Sequence, residues 1–91
     1  MKRNIVIADN SELILNGLKS ILKPMVGEHI VSFSKFAPLK EYLKETKNNL
    51  LIIDYTSKGF SLNKVVELKN KYPKMLVMAL TPYTNAQTIV Q

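Results

Sequence analysis

Three uninterrupted apolar runs, Ile5-Val6-Ile7-Ala8, Leu50-Leu51-Ile52-Ile53 and Met75-Leu76-Val77-Met78-Ala79-Leu80, limit most sharply what this chain can fold into. Each is too short for a core helix and lacks polar alternation, so each reads as a strand covered on both faces. Strands of that kind belong to parallel sheets, whose crossover connections lay helices over the two faces.

The segments between the runs carry the helical period. Asn10 and Ser11 are helix-capping types, and Leu13, Ile14, Gly17, Leu18, Ile21 and Leu22 then recur with helical spacing on a face turned to the sheet. Lys23-Pro24 ends that helix and Gly27 turns the chain. His29 to Phe33 follows as a partly polar strand of the kind found at a sheet edge. Pro38 suits the first turn of a second, short helix with the apolar stripe Leu39, Tyr42 and Leu43. After a loop containing Gly59, a third helix bears Leu62, Val65, Val66, Leu68 and Tyr72 and stops before Pro73. Thr84-Asn85-Ala86-Gln87 has the form of a capping box, which starts a fourth helix within which the chain ends. The expected order is βαβαβαβα, an α/β fold.

A length of 91 residues with 46 % apolar composition fits one domain spanning 1–91. No apolar stretch approaches the roughly 18 residues of a membrane span, and Met1-Lys2-Arg3-Asn4 leads straight into a strand, so a cytoplasmic protein without membrane contact is expected. With no cysteine and the single His29, a disulfide framework, a thiolate site and a zinc centre are excluded, and any metal is held by oxygen. The net charge of +6 comes from lysines scattered over the helices and their ends without aromatic interleaving, which reads as a solvated polar surface. An unrelated α/β domain using that basic face on nucleic acid or an acidic protein is the remoter alternative.

The only two aspartates, Asp9 and Asp54, each stand at the C-terminal end of an apolar run. If those strands are neighbours, both carboxylates emerge in the crevice outside the strand C-termini, where open α/β sheets gather ligands. Two close carboxylates raise each other's pKa unless a cation lies between them. The arrangement suits a hard divalent ion such as Mg²⁺ and leaves one carboxylate free to react.

In order and separation, Ile5 to Asn10, the Leu50 to Asp54 strand with its Gly59 loop, and Met75 to Thr81 resemble the receiver domain of bacterial two-component response regulators, most nearly the NarL/LuxR type. The resemblance implies a flavodoxin-like (CheY-like) parallel sheet of order 2-1-3-4, with the family's fifth strand and fifth helix absent from this chain. It implies that Asp54 is the phosphoacceptor for a sensor histidine kinase and that Mg²⁺ is bound by Asp9, Asp54 and the backbone carbonyl of Thr56. Thr81 would carry the switch hydroxyl, with Tyr83 moving alongside it. Such a domain is a signalling phosphoacceptor rather than an enzyme, limited to self-catalysed phosphotransfer and autodephosphorylation, and it reaches DNA only through an output domain outside this chain.

Asn10 stands where the family usually has a second acid, so it either caps the first helix or joins the metal set; with one charge fewer, Mg²⁺ binding is expected to be weak. The segment Tyr55-Thr56-Ser57-Lys58-Gly59 lacks the family's usual Met-Pro-Gly, and the chain stops before the family's lysine. Lys58 would either draw a phosphodonor or remain a solvated loop lysine. The alternative function is therefore a phosphorylation-independent pseudo-receiver that acts as a dimerisation or interaction module. Without a fifth strand, Met75 to Leu80 would be an uncharged apolar edge, which predicts a homo-oligomer formed through it.

Overall fold

The computed structural model describes residues 4–26, 29–80 and 88–90. Its elements in chain order are β1 (Asn4–Ala8), α1 (Glu12–Val26), β2 (Ile30–Phe33), α2 (Phe36–Glu45), β3 (Asn49–Asp54), α3 (Leu62–Lys71), β4 (Leu76–Leu80) and β5 (Thr88–Val90). They form one sheet of order β2-β1-β3-β4-β5. The first four strands are parallel, with Ile5 beside Ile30 and Leu50, and Leu50 beside Leu76. This is the expected 2-1-3-4 arrangement.

Side chains alternate across the sheet and divide the core in two. Val6, Ala8, Leu51, Ile53 and Val77 pack with Leu39 and Leu43 of α2 and Val65 and Leu68 of α3. Ile5, Ile7 and Ile52 face the other way and meet Leu15, Leu18 and Leu22 of α1. Local chemistry fixes the joints. The Ser11 hydroxyl accepts from the Ile14 amide at 3.3 Å and caps α1, and the Ser61 hydroxyl caps α3 through the Lys64 amide at 3.2 Å. At the N-terminal ends of β1 and β3, the buried Asn49 side chain accepts from Asn4 at 3.2 Å and donates to the Thr46 hydroxyl at 3.1 Å. Asn48 just before it has φ of 62°, a left-handed conformation that asparagine tolerates better than most side chains.

Several expectations need correction. Helix α1 does not stop at Lys23-Pro24 but continues to Val26. Pro24 and Ser20, the residue whose carbonyl a proline amide cannot pair with, are both exposed. Its sheet-facing side is led by Leu15, outside the expected set, whereas Leu13 (83 % exposed), Ile14 (44 %) and Ile21 (62 %) project from the domain. In α3, Leu62 and Val66 are exposed and only Val65 and Leu68 are buried. Strand β4 is covered unevenly: Val77 and Ala79 are buried and Leu80 packs in the α1-side cluster, while Leu76 and Met78 are 43 % and 40 % exposed.

No fourth helix occurs among the described residues. The capping-box residues 84–87 lie outside them, and Thr88–Val90 is a strand antiparallel to β4, with Val77 beside Val90 and Ala79 beside Thr88. That pairing takes up the backbone groups of the expected open edge, so an oligomer built by strand addition to β4 loses its basis. Among the described residues no helix is long and apolar enough to cross a membrane.

Candidate functional site

Ala8 and Ile53 are partners in the β1–β3 ladder, so the next position on each strand carries an aspartate at the same sheet edge. The structure brings Asp9 and Asp54 together there. Both are shielded from solvent, at 3 % and 9 % exposure. The groups hydrogen-bonded to them are polar loop atoms rather than hydrocarbon. Asp9 Oδ1 accepts from the Ser11 amide at 2.8 Å, while the Asp9 amide donates to the Phe33 carbonyl at 3.1 Å and fixes the turn after β1. Asp54 Oδ1 accepts from the Thr56 amide at 2.8 Å and from the Thr56 hydroxyl at 2.5 Å.

Burial raises the Asp9 pKa above its ordinary value of 3.8; the Ser11 amide opposes the rise, and the charge and side chain of Asp54 reinforce it. A proton on Asp9 relieves the crowding of two carboxylates. A divalent cation relieves it too, which is how the donor set fits Mg²⁺: two neighbouring carboxylate groups, with water completing the shell. Among the described residues no cluster of three or more His, Cys, Asp or Glu side chains exists, so the protein contributes few charged ligands to such an ion.

The remaining expected site residues are placed unevenly. Thr56 is exposed and holds Asp54 through its amide and hydroxyl, a contact the sequence reading did not include. Asn10 is exposed, and Ser11 rather than Asn10 supplies the side-chain cap of α1. Lys58 is exposed on the loop after β3. Thr81 and Tyr83 lie outside the described residues; Leu80, which precedes Thr81, is the ladder partner of Asp54.

Ser57 was missed and ties the site together. Its hydroxyl donates to the Asp54 carbonyl at 3.0 Å and accepts from the Asn10 amide at 3.2 Å, linking the loop after β3 to the loop after β1. Its own amide donates to the same Asp54 carbonyl at 3.2 Å, and its carbonyl accepts from Phe60 at 3.1 Å. A serine three positions beyond a strand-end aspartate is a turn signal that could have been read. A cavity of about 420 Å³, bordered by Lys47, Lys71, Tyr72 and Lys74, opens at the opposite end of the strands. The two buried carboxylates lie at the other end of the sheet from this cavity.

Similar solved structures share this fold. A receiver domain of an HD domain-containing protein from Pseudomonas fluorescens Pf-5 superposes with a TM-score of 0.81 over 93 % of this chain and 68 % of its own, at 17 % identity. The response regulator RcsB in complex with DNA gives 0.81 at 22 % identity, covering 93 % of this chain and 45 % of RcsB. The response regulator StyR gives 0.76 at 16 % identity, covering 99 % of this chain and 46 % of StyR. The chain thus spans less than half the length of the RcsB and StyR chains it matches. No family model matches the chain, and no curated protein matches it.

Proposed function

We propose that this chain is a receiver domain, of the NarL/LuxR type, that accepts a phosphoryl group on Asp54 from a sensor histidine kinase in the cytoplasm and controls an attached output module that binds DNA. The observation that carries the reading is the paired burial of Asp9 and Asp54 at the ends of adjacent parallel strands, among polar loop atoms. Regulators that bind DNA and form dimers share the fold, as RcsB does.

The residues divide the work as follows. Asp54 attacks phosphorus in line through one carboxylate oxygen, forming an acyl phosphate as the donor's P–N or P–O bond breaks. The Thr56 amide and hydroxyl orient the carboxylate through Oδ1. Asp9, Asp54 and the Thr56 carbonyl would hold Mg²⁺, which, when bound, neutralises charge on the transferring group. Asp9 joins that set in its ionised form, against the burial that raises its pKa. The Thr81 hydroxyl then turns to the new phosphate and biases a two-state surface.

A second reading, the phosphorylation-independent pseudo-receiver, is favoured by one feature: with Asn10 in place of an acid, two carboxylates stand at the site among the described residues. Incubation with acetyl phosphate and Mg²⁺ followed by intact-mass measurement separates the two. The phosphoacceptor reading expects one added phosphoryl group, lost in Asp54→Asn and in the presence of EDTA. An unmodified chain, from both acetyl phosphate and phosphohistidine donors, supports the pseudo-receiver.

A further inference from the structure

The cavity at the far end of the sheet from the aspartates takes no part in the phosphoacceptor chemistry. It lies between residues 47–49, which lead from α2 into β3, and residues 71–76, which lead from α3 into β4. Both segments are braced. The Asn49 side chain accepts from Asn4 at 3.2 Å and donates to the Thr46 hydroxyl at 3.1 Å. Across the cavity, the Met75 amide donates to the Tyr72 carbonyl at 3.0 Å, and the Lys69 ammonium donates to the carbonyls of Pro73 and Met75 at 3.0 and 2.6 Å. The walls are therefore formed before a ligand arrives, which spares binding the cost of ordering them.

Two kinds of surface meet in this cavity. Tyr72, Pro73, Met75 and Leu76 supply apolar wall, and a volume of about 420 Å³ falls within the roughly 300–1,000 Å³ of small-molecule sites. Lys47, Lys71 and Lys74 also line it, and no aspartate or glutamate does. All three lysines are exposed, so their charges belong to the rim while their stems extend the apolar wall. Among the described residues none of the three has a carboxylate partner, whereas Lys40 and Lys44 are paired with Glu67 and Glu41. The Lys71 ammonium lies 5.7 Å from the centroid of the Tyr72 ring, so a cation and an aromatic wall stand side by side. Like charges gathered round one opening raise the local potential and draw an anion to it.

We propose that this cavity binds a small amphipathic carboxylate, with a flat apolar body against Tyr72, Pro73, Met75 and Leu76 and its charge at the lysine rim. An inorganic anion makes no use of the apolar walls, and a neutral ring makes no use of the lysines; a carboxylate on an apolar body uses both. A nucleic-acid strand needs a charged groove that tracks its backbone, which a single opening between two short segments does not provide. The inference rests on this cavity alone and stands whether or not Asp54 is phosphorylated.

Titration of the nitrogen-15-labelled chain with 2-naphthoate, followed through amide chemical shifts, tests the proposal. The shifts should saturate at millimolar concentration or below and gather at residues 47–49 and 71–76, with the amides of Asp9 and Asp54 unmoved. 2-Naphthylmethanol, the same body without the charge, and acetate, the charge without the body, should each bind about tenfold more weakly or worse. Lys47→Glu combined with Lys74→Glu should weaken naphthoate binding about tenfold or more, because two attractions become repulsions at the rim. Lys35→Glu combined with Lys58→Glu makes the same change of net charge at exposed sites elsewhere and should leave binding within about twofold. The absence of saturable shifts at the cavity residues overturns the proposal. So does equal affinity for the alcohol or for acetate, or an equal loss in the two double variants.

Discussion

Ser57→Ala isolates the tie between the two loops that carry the aspartates. The substitution deletes a donated bond to the Asp54 carbonyl at 3.0 Å and an accepted bond from the Asn10 amide at 3.2 Å. Neither partner becomes a buried orphan: the Asp54 carbonyl keeps the Ser57 amide, and exposed Asn10 gains water. Each bond therefore counts at its net value of about 0.5–1.5 kcal/mol, with the Asn10 contact at the low end, for a total loss of about 1–2 kcal/mol. For a domain of this length, that lowers Tm by about 4–8 °C per kcal/mol. Urea unfolding is the assay, with the slope unchanged and the midpoint lowered. Ser57→Thr, which keeps the hydroxyl, should recover most of the loss. Mg²⁺ affinity should fall along with stability, because the loops bearing Asp9 and Asp54 are less firmly held relative to each other. A loss below about 0.3 kcal/mol, or an equal loss in the threonine variant, refutes the hydrogen-bond argument.

Other perturbations reach the site and core by different routes. Because the folded-state pKa of Asp9 is raised, the stability from its protonated form is fully present below the unfolded value of 3.8 and is lost as pH rises through the folded value. Asp9→Asn should therefore gain stability over the parent at neutral pH and lose that advantage in acid, as measured by urea midpoints. Mg²⁺ should raise the Tm of the parent, more so as pH rises and Asp9 ionises, and EDTA or Asp9→Asn should abolish the effect, read by differential scanning fluorimetry. Leu39→Ala empties a fully buried position between the sheet and α2 and should cost about 2–5 kcal/mol in urea unfolding, leaving the mass added by phosphorylation unchanged.

The parts of the fold legible in the sequence are those set by short-range pattern. Ile5 to Ala8 and Leu50 to Ile53 lack polar alternation because both faces are covered, and the aspartates that end them mark the sheet edge where the site forms. Helix α1 was harder to orient. Leu13, Ile14, Leu15, Leu18, Ile21 and Leu22 surround most of its circumference, and which of them turn inward depends on how far the helix covers the sheet. The β4 run shows the same limit: six apolar residues read as doubly covered, although Leu76 and Met78 are 43 % and 40 % exposed. At Thr88–Val90 the β-branched residues and ladder pairing with β4 prevailed over the helix expected from the upstream capping box. Ser57 escaped notice because its role lies between loops distant in sequence.

Chemical identification of the phosphorylated side chain tests the central claim most directly. Borohydride reduces an aspartyl phosphate to homoserine, so treatment with acetyl phosphate and Mg²⁺, then borohydride and peptide mapping, should place homoserine at position 54 and nowhere else. Homoserine at position 9, phosphate stable on Thr56 or Ser57, or an unmodified peptide containing Asp54 would contradict the account.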